Sequence, residues 1–412
     1  MTLIHRLRRS MADYPPMLWL LAVGCFLNVG GLSFLWPLNS IYIHEELGKP
    51  LTVAGLVLLL HSAGATAGYL AGGSLFDRVG ARPVLLTGLL TASLVIALPG
   101  LIDSWPLYVA VMFLFGLSAS FVFPAINALA AKVWPEGGRR AFNFLYVANN
   151  LGVAVGTAIG GLVAQVSFDL AFLSASLTLF LFAVFAFFKI RDPEPSVTAP
   201  AQPVAEAQAA APETSATFER PLTPEFKIPW LPINALFIGF LILWIAYVQW
   251  QSSIAVYMQS QGTSLSAYSL LWTINGVLIF CGQPLIAWLV RVFRSPSSQM
   301  FLGTGLFLIA FLLILLSNSY SVFIAGMIVL TLGEMLLWPC IPAAVSQLSP
   351  PSRLGFLQGL IGSGGPVGRM LGPLIGGLLY DHFPFSTLVL FIIGLMLIPL
   401  ICFAVYMRTA RT

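Results

Sequence analysis

The chain has 412 residues, 58% of them hydrophobic and only 8% charged, with a formal net charge of +4. Soluble domains carry about 25% charged residues, and a mean hydropathy of +0.92 leaves too little polar surface to cover a water-soluble fold. A soluble enzyme, a disordered chain and a nucleic-acid-binding domain are excluded. A polytopic membrane protein remains. The four cysteines, Cys25, Cys281, Cys340 and Cys402, sit in apolar runs without metal spacing and read as inert small hydrophobes. Arg6, Arg8 and Arg9 precede the first apolar run, but no small-residue cleavage site ends it, so no signal peptide is expected.

Apolar runs between turn signals predict six helices near 17–43, 52–76, 82–102, 105–132, 141–166 and 169–189. Six more follow near 230–258, 265–290, 298–317, 319–346, 353–379 and 385–407. The runs are too long for the roughly 10-residue strands of a membrane barrel. All but two of the 19 basic residues fall in the tails, the centre or the turns on one side; the exceptions are Lys49, on the other side, and Arg369, inside a span. By the positive-inside rule that side is cytoplasmic, with both termini. Residues 190–229 hold eight prolines and a run of Ala and Gln, a composition that buries no core and reads as a flexible linker. The expected organisation is a six-helix bundle over 1–189, the linker over 190–229 and a second six-helix bundle over 230–412.

The halves repeat one another. Gly152, Gly156 and Gly160 in the fifth helix match Gly368, Gly372 and Gly376 in the eleventh at one constant offset. Gly116 and Pro124 match Gly333 and Pro342 at nearly the same offset. Glycines four apart let helices approach closely. They also occur in generic membrane packing, but a parallel repeat of six helices is how many secondary transporters are built, with substrate at the midplane between halves.

The turn after the second helix reads Gly73-Ser-Leu-Phe-Asp77-Arg78-Val-Gly80-Ala81-Arg82. It resembles the signature of the major facilitator superfamily, departing at Ala81. The resemblance covers the whole chain. It implies an all-α fold of two pseudo-symmetric six-helix bundles, with Gly73, Asp77, Arg78, Gly80 and Arg82 as a latch between the halves. A plain positive-inside turn is the simpler alternative. Gly368-Arg369-Met-Leu-Gly372-Pro373-Leu-Ile-Gly376-Gly377 resembles the antiporter motif that the family carries in its fifth helix, where this chain has Thr157 in the proline position. Thr331-Leu-Gly333-Glu334 resembles a segment of the drug:proton antiporter branch. That resemblance implies a proton-coupling role for Glu334. The intramembrane Arg that the branch carries in the fourth helix is replaced by Met112, and its further acids are absent from 130–132 and 144–146.

Glu334 is the sole acid near the middle of any predicted span. A lone carboxyl there is costly to ionise and suited to loading a proton, though it can also serve packing. Arg369 lies at a similar depth on the next helix, roughly 24 Å from its cytoplasmic end against roughly 18 Å for Glu334, so an ion pair or an anion contact is open to it. His61 is the third titratable candidate, unless it is a hydrogen-bonded core residue. Asn28, Trp36, Asn127, Tyr146, Asn150, Tyr247, Trp250, Gln251, Trp272, Asn275 and Trp338 are candidate cavity residues, with aromatic faces suited to flat or cationic compounds; interface anchoring is the alternative for many of them.

The expected function is proton-coupled export of hydrophobic or amphipathic small molecules, neutral or cationic, by a monomer in the cell membrane. The proton gradient supplies the energy; no cofactor, metal or nucleic acid is called for. A lipid or lipid-linked flippase of the same fold is the alternative. A polytopic membrane enzyme would need clustered His, Asp or Cys, and only His44-Glu45-Glu46 and Asp381-His382 approach that. No phosphate-binding loop suggests an ATP-driven pump.

Overall fold

The computed structural model describes residues 14–33, 42–49, 51–164, 166–191 and 228–410. Trp36 and nearly all of the expected linker lie outside these residues. Among them there is no strand. Twelve helical rods follow in order. They are α1 (Pro16–Ser33), α2 (Leu51–Val79), α3 (Ala81–Ala97), α4 (Trp105–Ala119 and Val122–Val133), α5 (Arg139–Ala164) and α6 (Phe168–Lys189). The second six are α7 (Trp230–Val248 and Ser253–Ser260), α8 (Leu265–Cys281 and Gln283–Val292), α9 (Pro296–Leu316), α10 (Tyr320–Leu348), α11 (Leu354–His382) and α12 (Phe385–Leu395 and Leu397–Thr409).

Ten of the rods are long and apolar enough to span a membrane, and the two arms of α8, bent by 62°, make an eleventh. The remaining rod, α11, is diluted by its glycines and carries Arg369. Exposed Leu94, Val166 and Leu316, each at least 70% accessible, belong to an apolar outer surface of the kind that faces lipid.

Four rods that read as continuous apolar runs are broken. In three, the break lies within one turn before a proline, where the missing N–H and the ring clash disrupt the helix: Pro124 in α4, Pro284 in α8 and Pro399 in α12. The break in α7 has no proline. There Gln249 donates from Nε2 to the carbonyls of Ile245 (3.1 Å) and Gly372 (2.8 Å), and its Oε1 accepts from Ser253 Oγ (3.1 Å). The side chain holds the loosened turn and ties it to α11.

Buried apolar residues form one large cluster from residues 18–190 joined by Leu354, and a second from residues 233–406. The repeated glycines explain how each half is assembled. A Cβ on Gly152 would lie 2.6 Å from the Phe26 carbonyl oxygen, and one on Gly156 would collide with Gly30, so α5 seats on α1. One on Gly368 would collide with Trp244 and one on Gly372 would lie 3.3 Å from the Ile245 oxygen, so α11 seats on α7. Gly160 and Gly376 are buried in the same stripes, and Pro373 faces outward. The second pair is less symmetric: Gly116 meets α2 at His61, whereas Gly333 meets α9 at Gly303 and Phe307.

The halves meet through α2 against α11 and α5 against α10, with smaller seams of α4 on α11 and of α5 on α8.

Candidate functional site

The basic turn between α2 and α3 comes first. Gly80 has φ of 87°, a left-handed value that disfavours a side chain, and the chain reverses there. Asp77, on the last turn of α2, reaches across to α11. Its Oδ1 accepts the Gly355 N–H and its Oδ2 the Phe356 N–H, both at 2.7 Å. A carboxylate over the first turn of a helix satisfies two unpaired donors and meets the positive end of the dipole. The approach is possible because Gly73 faces Gly355: a Cβ on either residue would collide with the other's carbonyl oxygen. Lys132 Nζ lies 4.5 Å from the centroid of the Phe76 ring. Lys132 and Arg353 both add positive charge near Asp77. Arg82 points elsewhere, donating to the Phe187 carbonyl at 2.7 Å and lying over the Phe187 ring, which joins α3 to α6. Arg78 is exposed.

Glu334 sits at the middle of α10, 2% accessible. Tyr146 of α5 donates its hydroxyl to Glu334 Oε1 at 2.6 Å. Tyr247 of α7 and Asn275 of α8 flank the carboxyl. Neither forms a well-aligned hydrogen bond to Oε2, which has no partner among the described residues. Asn275 donates instead to Thr331 Oγ1 at 2.9 Å. Aromatic rings build the wall. Trp338, one turn beyond Glu334, stacks on Trp244 at 5.0 Å between centroids and stands edge-on to Tyr247 and Phe240. Trp272 packs on Tyr247 at 6.0 Å.

Arg369 of α11 places its guanidinium over Trp244, 4.5 Å from the ring centroid, a cation–π arrangement. The phenols of Tyr69 and Tyr247 lie within its electrostatic reach. Tyr247 therefore neighbours both Glu334 and Arg369. His61 of α2 donates from Nδ1 to the Met112 carbonyl at 3.1 Å, rests against Phe115 and lies within electrostatic reach of Arg369.

The other candidates divide. Asn150 donates to the Tyr146 carbonyl at 2.8 Å, one turn along α5. Asn28 is buried on α1 with its Oδ1 unpartnered among the described residues. Asn127 is half-buried on α4. Trp250 lies wholly inside the second half, against Phe311 of α9, and Gln251 is exposed at the α7 break. Neither joins the group around Glu334.

Sequence reading missed Trp244, although Phe240, Trp244 and Tyr247 share a helical stripe. It also missed Arg139, Asn143 and Gln283 as a group. Arg139 carries a basic charge near a turn, so the topology rule absorbed it.

Two six-helix bundles, joined at one face where Asp77 caps α11 and bridged at mid-depth by the bond of Tyr146 to the buried Glu334 carboxyl, define a multi-pass membrane transporter. The chain belongs to the Major Facilitator Superfamily, whose family model matches residues 21–297 and 253–412. It is 42% identical over 401 residues to the uncharacterized MFS-type transporter YttB of Bacillus subtilis, covering 97% of each chain. It is 25% identical over 370 residues to the quinolone resistance protein NorA of Staphylococcus aureus, covering 88% of this chain and 90% of that one. The crystal structure of the human organic anion transporter MFSD10 superposes with a TM-score of 0.74 at 17% identity, over 95% of this chain and all of that one. That likeness is one of fold.

Proposed function

We propose that the protein is a proton-coupled exporter of hydrophobic or amphipathic cations in a cell membrane, working by alternating access. The face that bears the Asp77 latch is cytoplasmic, as are both termini. The observation that carries this reading is Glu334. It is buried at mid-depth between the halves, the described side chains flanking it are uncharged, and one of its oxygens has no partner among the described residues. A carboxylate in such a place is costly unless a proton or a cation accompanies it. A proton and a cationic substrate competing for one carboxylate produce antiport by population shift. Trp244, Trp338, Trp272 and Tyr247 offer flat faces to an apolar or cationic compound. The similarity to a quinolone resistance protein supports small-molecule export. No cofactor is required, and the proton gradient is the energy source.

The test is uptake of ethidium by proteoliposomes with and without an imposed pH gradient. The native protein should concentrate the dye only with the gradient. Glu334→Gln should lose concentration against a gradient and keep downhill movement. If the variant still concentrates ethidium when driven by the pH difference alone, Glu334 is not the coupling group. An anionic lipid carried in place of ethidium would instead favour a flippase.

A further inference from the structure

The latch at Asp77 closes one seam between the halves, that of α2 and α11. The opposite seam, where α5 meets α8 and α10, carries a second set of cross-half bonds. Arg139 donates from Nη2 to the Met335 carbonyl at 2.8 Å. Asn143 donates from Nδ2 to Gln283 Oε1 at 3.0 Å. Tyr146 donates to Glu334 Oε1 at 2.6 Å. The donors recur at spacings of four and three, so they lie on one face of α5 and climb about 10 Å along it. Every acceptor belongs to the other half.

Each acceptor is prepared by a local feature of the sequence. Pro339 has no N–H, so the Met335 carbonyl four residues earlier lacks its helical donor, and Arg139 supplies one from outside. Gln283 stands at the break of α8, where Nε2 donates to the Ile279 carbonyl at 2.7 Å. That bond fixes the side-chain amide so that Oε1 faces α5. The last acceptor is Glu334 itself, adjacent to Met335 on α10. The stripe is sheltered: Met335 is fully buried, and Ile279, Ile286 and Leu336 form a small apolar cluster with Tyr146 packed against it. Bonds of this kind gain strength where water is excluded.

We propose that Arg139, Asn143 and Tyr146 form a second gate, on the same face as the Asp77 latch, and that it must unzip for the central cleft to open toward that face. Arg139 is its outermost rung and a positioning residue rather than a substrate contact. Glu334, at the innermost rung, joins the gate to the substrate site. The proposal rests on alternating access by the two halves but not on proton coupling.

Spin labels at the exposed residues Glu136 and Arg294 report the width of the seam. Arg139→Met and Asn143→Leu should each raise the population at long distance roughly tenfold, the effect of one part-buried bond. Arg139→Lys, which keeps a donor, should restore part of the short-distance population. Unchanged distributions in both Arg139→Met and Asn143→Leu would overturn the gate. A second measurement does not depend on weakening the fold. Cysteines replacing Asn143 and Gln283, with Cys281→Ser to remove the neighbouring thiol, should be bridged by a short bis-methanethiosulfonate reagent that spans the space of the two longer side chains. Downhill ethidium movement, with no pH gradient, should then stop and return with reductant. Native rates through the cross-linked protein would overturn the proposal. Should native protein fail to carry ethidium at all, the proposed function fails, while the distance measurement still decides the gate.

Discussion

Asp77 and Gly355 are 278 residues apart in sequence, yet the Asp77 carboxylate accepts the Gly355 backbone N–H at 2.7 Å. The second oxygen takes the next N–H of the same helix, so one side chain from the first half caps a helix of the second.

The cap should control which face of the protein is open. Hydrogen bonds to a charged group contribute about 1.5–3 kcal/mol each. Asn in place of Asp removes the charge and turns an –NH2 group toward a backbone N–H. Asp77→Asn should therefore shift the equilibrium roughly tenfold or more toward opening at this face. Labels at Val79 and Ser352, both exposed beside the seam, would show the longer distance. An unchanged distribution would reduce the Asp77 turn to a topology signal.

Glycines in this protein are not equivalent, and two of them predict opposite outcomes. A Cβ on Gly355 would collide with the Gly73 carbonyl and lie 2.7 Å from a Phe76 ring carbon, whereas one on Gly305 would meet nothing within 4 Å. Gly355→Ala should prise α2 from α11 and lower the melting temperature in detergent. Gly305→Ala, in the interior of α9, should leave transport unchanged and stabilise by about 0.5–1 kcal/mol through the helix preference of Ala. Equal melting temperatures for the two variants would contradict the packing described for this seam.

The rods were legible because membrane helices are written as long apolar runs, and the glycine repeat was legible because one offset recurs. The breaks were not. Pro124, Pro284 and Pro399 sit in runs whose hydropathy continues across them. The α7 break depends on Gln249 meeting Gly372, 123 residues away. Glu334 stood out by its solitude and Tyr146 as a cavity candidate, but their bond was not legible, since a tyrosine in a span serves equally as an interface anchor. Arg139 was hidden by its own charge: a basic residue beside a turn satisfies the orientation rule and needs no further reason. Arg369 and Glu334 match in depth along their helices, yet depth says nothing of direction. The face of Trp244 receives the guanidinium, and Tyr247 neighbours both charged groups.

The position of the Glu334 carboxyl, as well as its charge, should matter to coupling. Tyr146 reaches Oε1 at 2.6 Å, which leaves no slack. Glu334→Asp keeps an acid but withdraws it by one carbon–carbon bond, about 1.5 Å, which breaks the bond to a tyrosine fixed on another helix. The phenol then loses its acceptor, and the innermost rung of the α5 seam is gone while a titratable group remains. Ethidium accumulation driven by a pH gradient should fall about tenfold, the scale of one charge-assisted hydrogen bond. Downhill movement should persist, because neither the aromatic wall nor the acid is lost. Glu334→Gln separates the two contributions: it retains length and an oxygen acceptor for Tyr146 but has nothing to ionise. Glu334→Asp should thus widen the Glu136–Arg294 distance more than Glu334→Gln, and Glu334→Gln should abolish dependence on the pH gradient more completely than Glu334→Asp. If Glu334→Asp accumulates ethidium at the native level with an unchanged distance, the bond between Tyr146 and Glu334 has no part in the transport cycle.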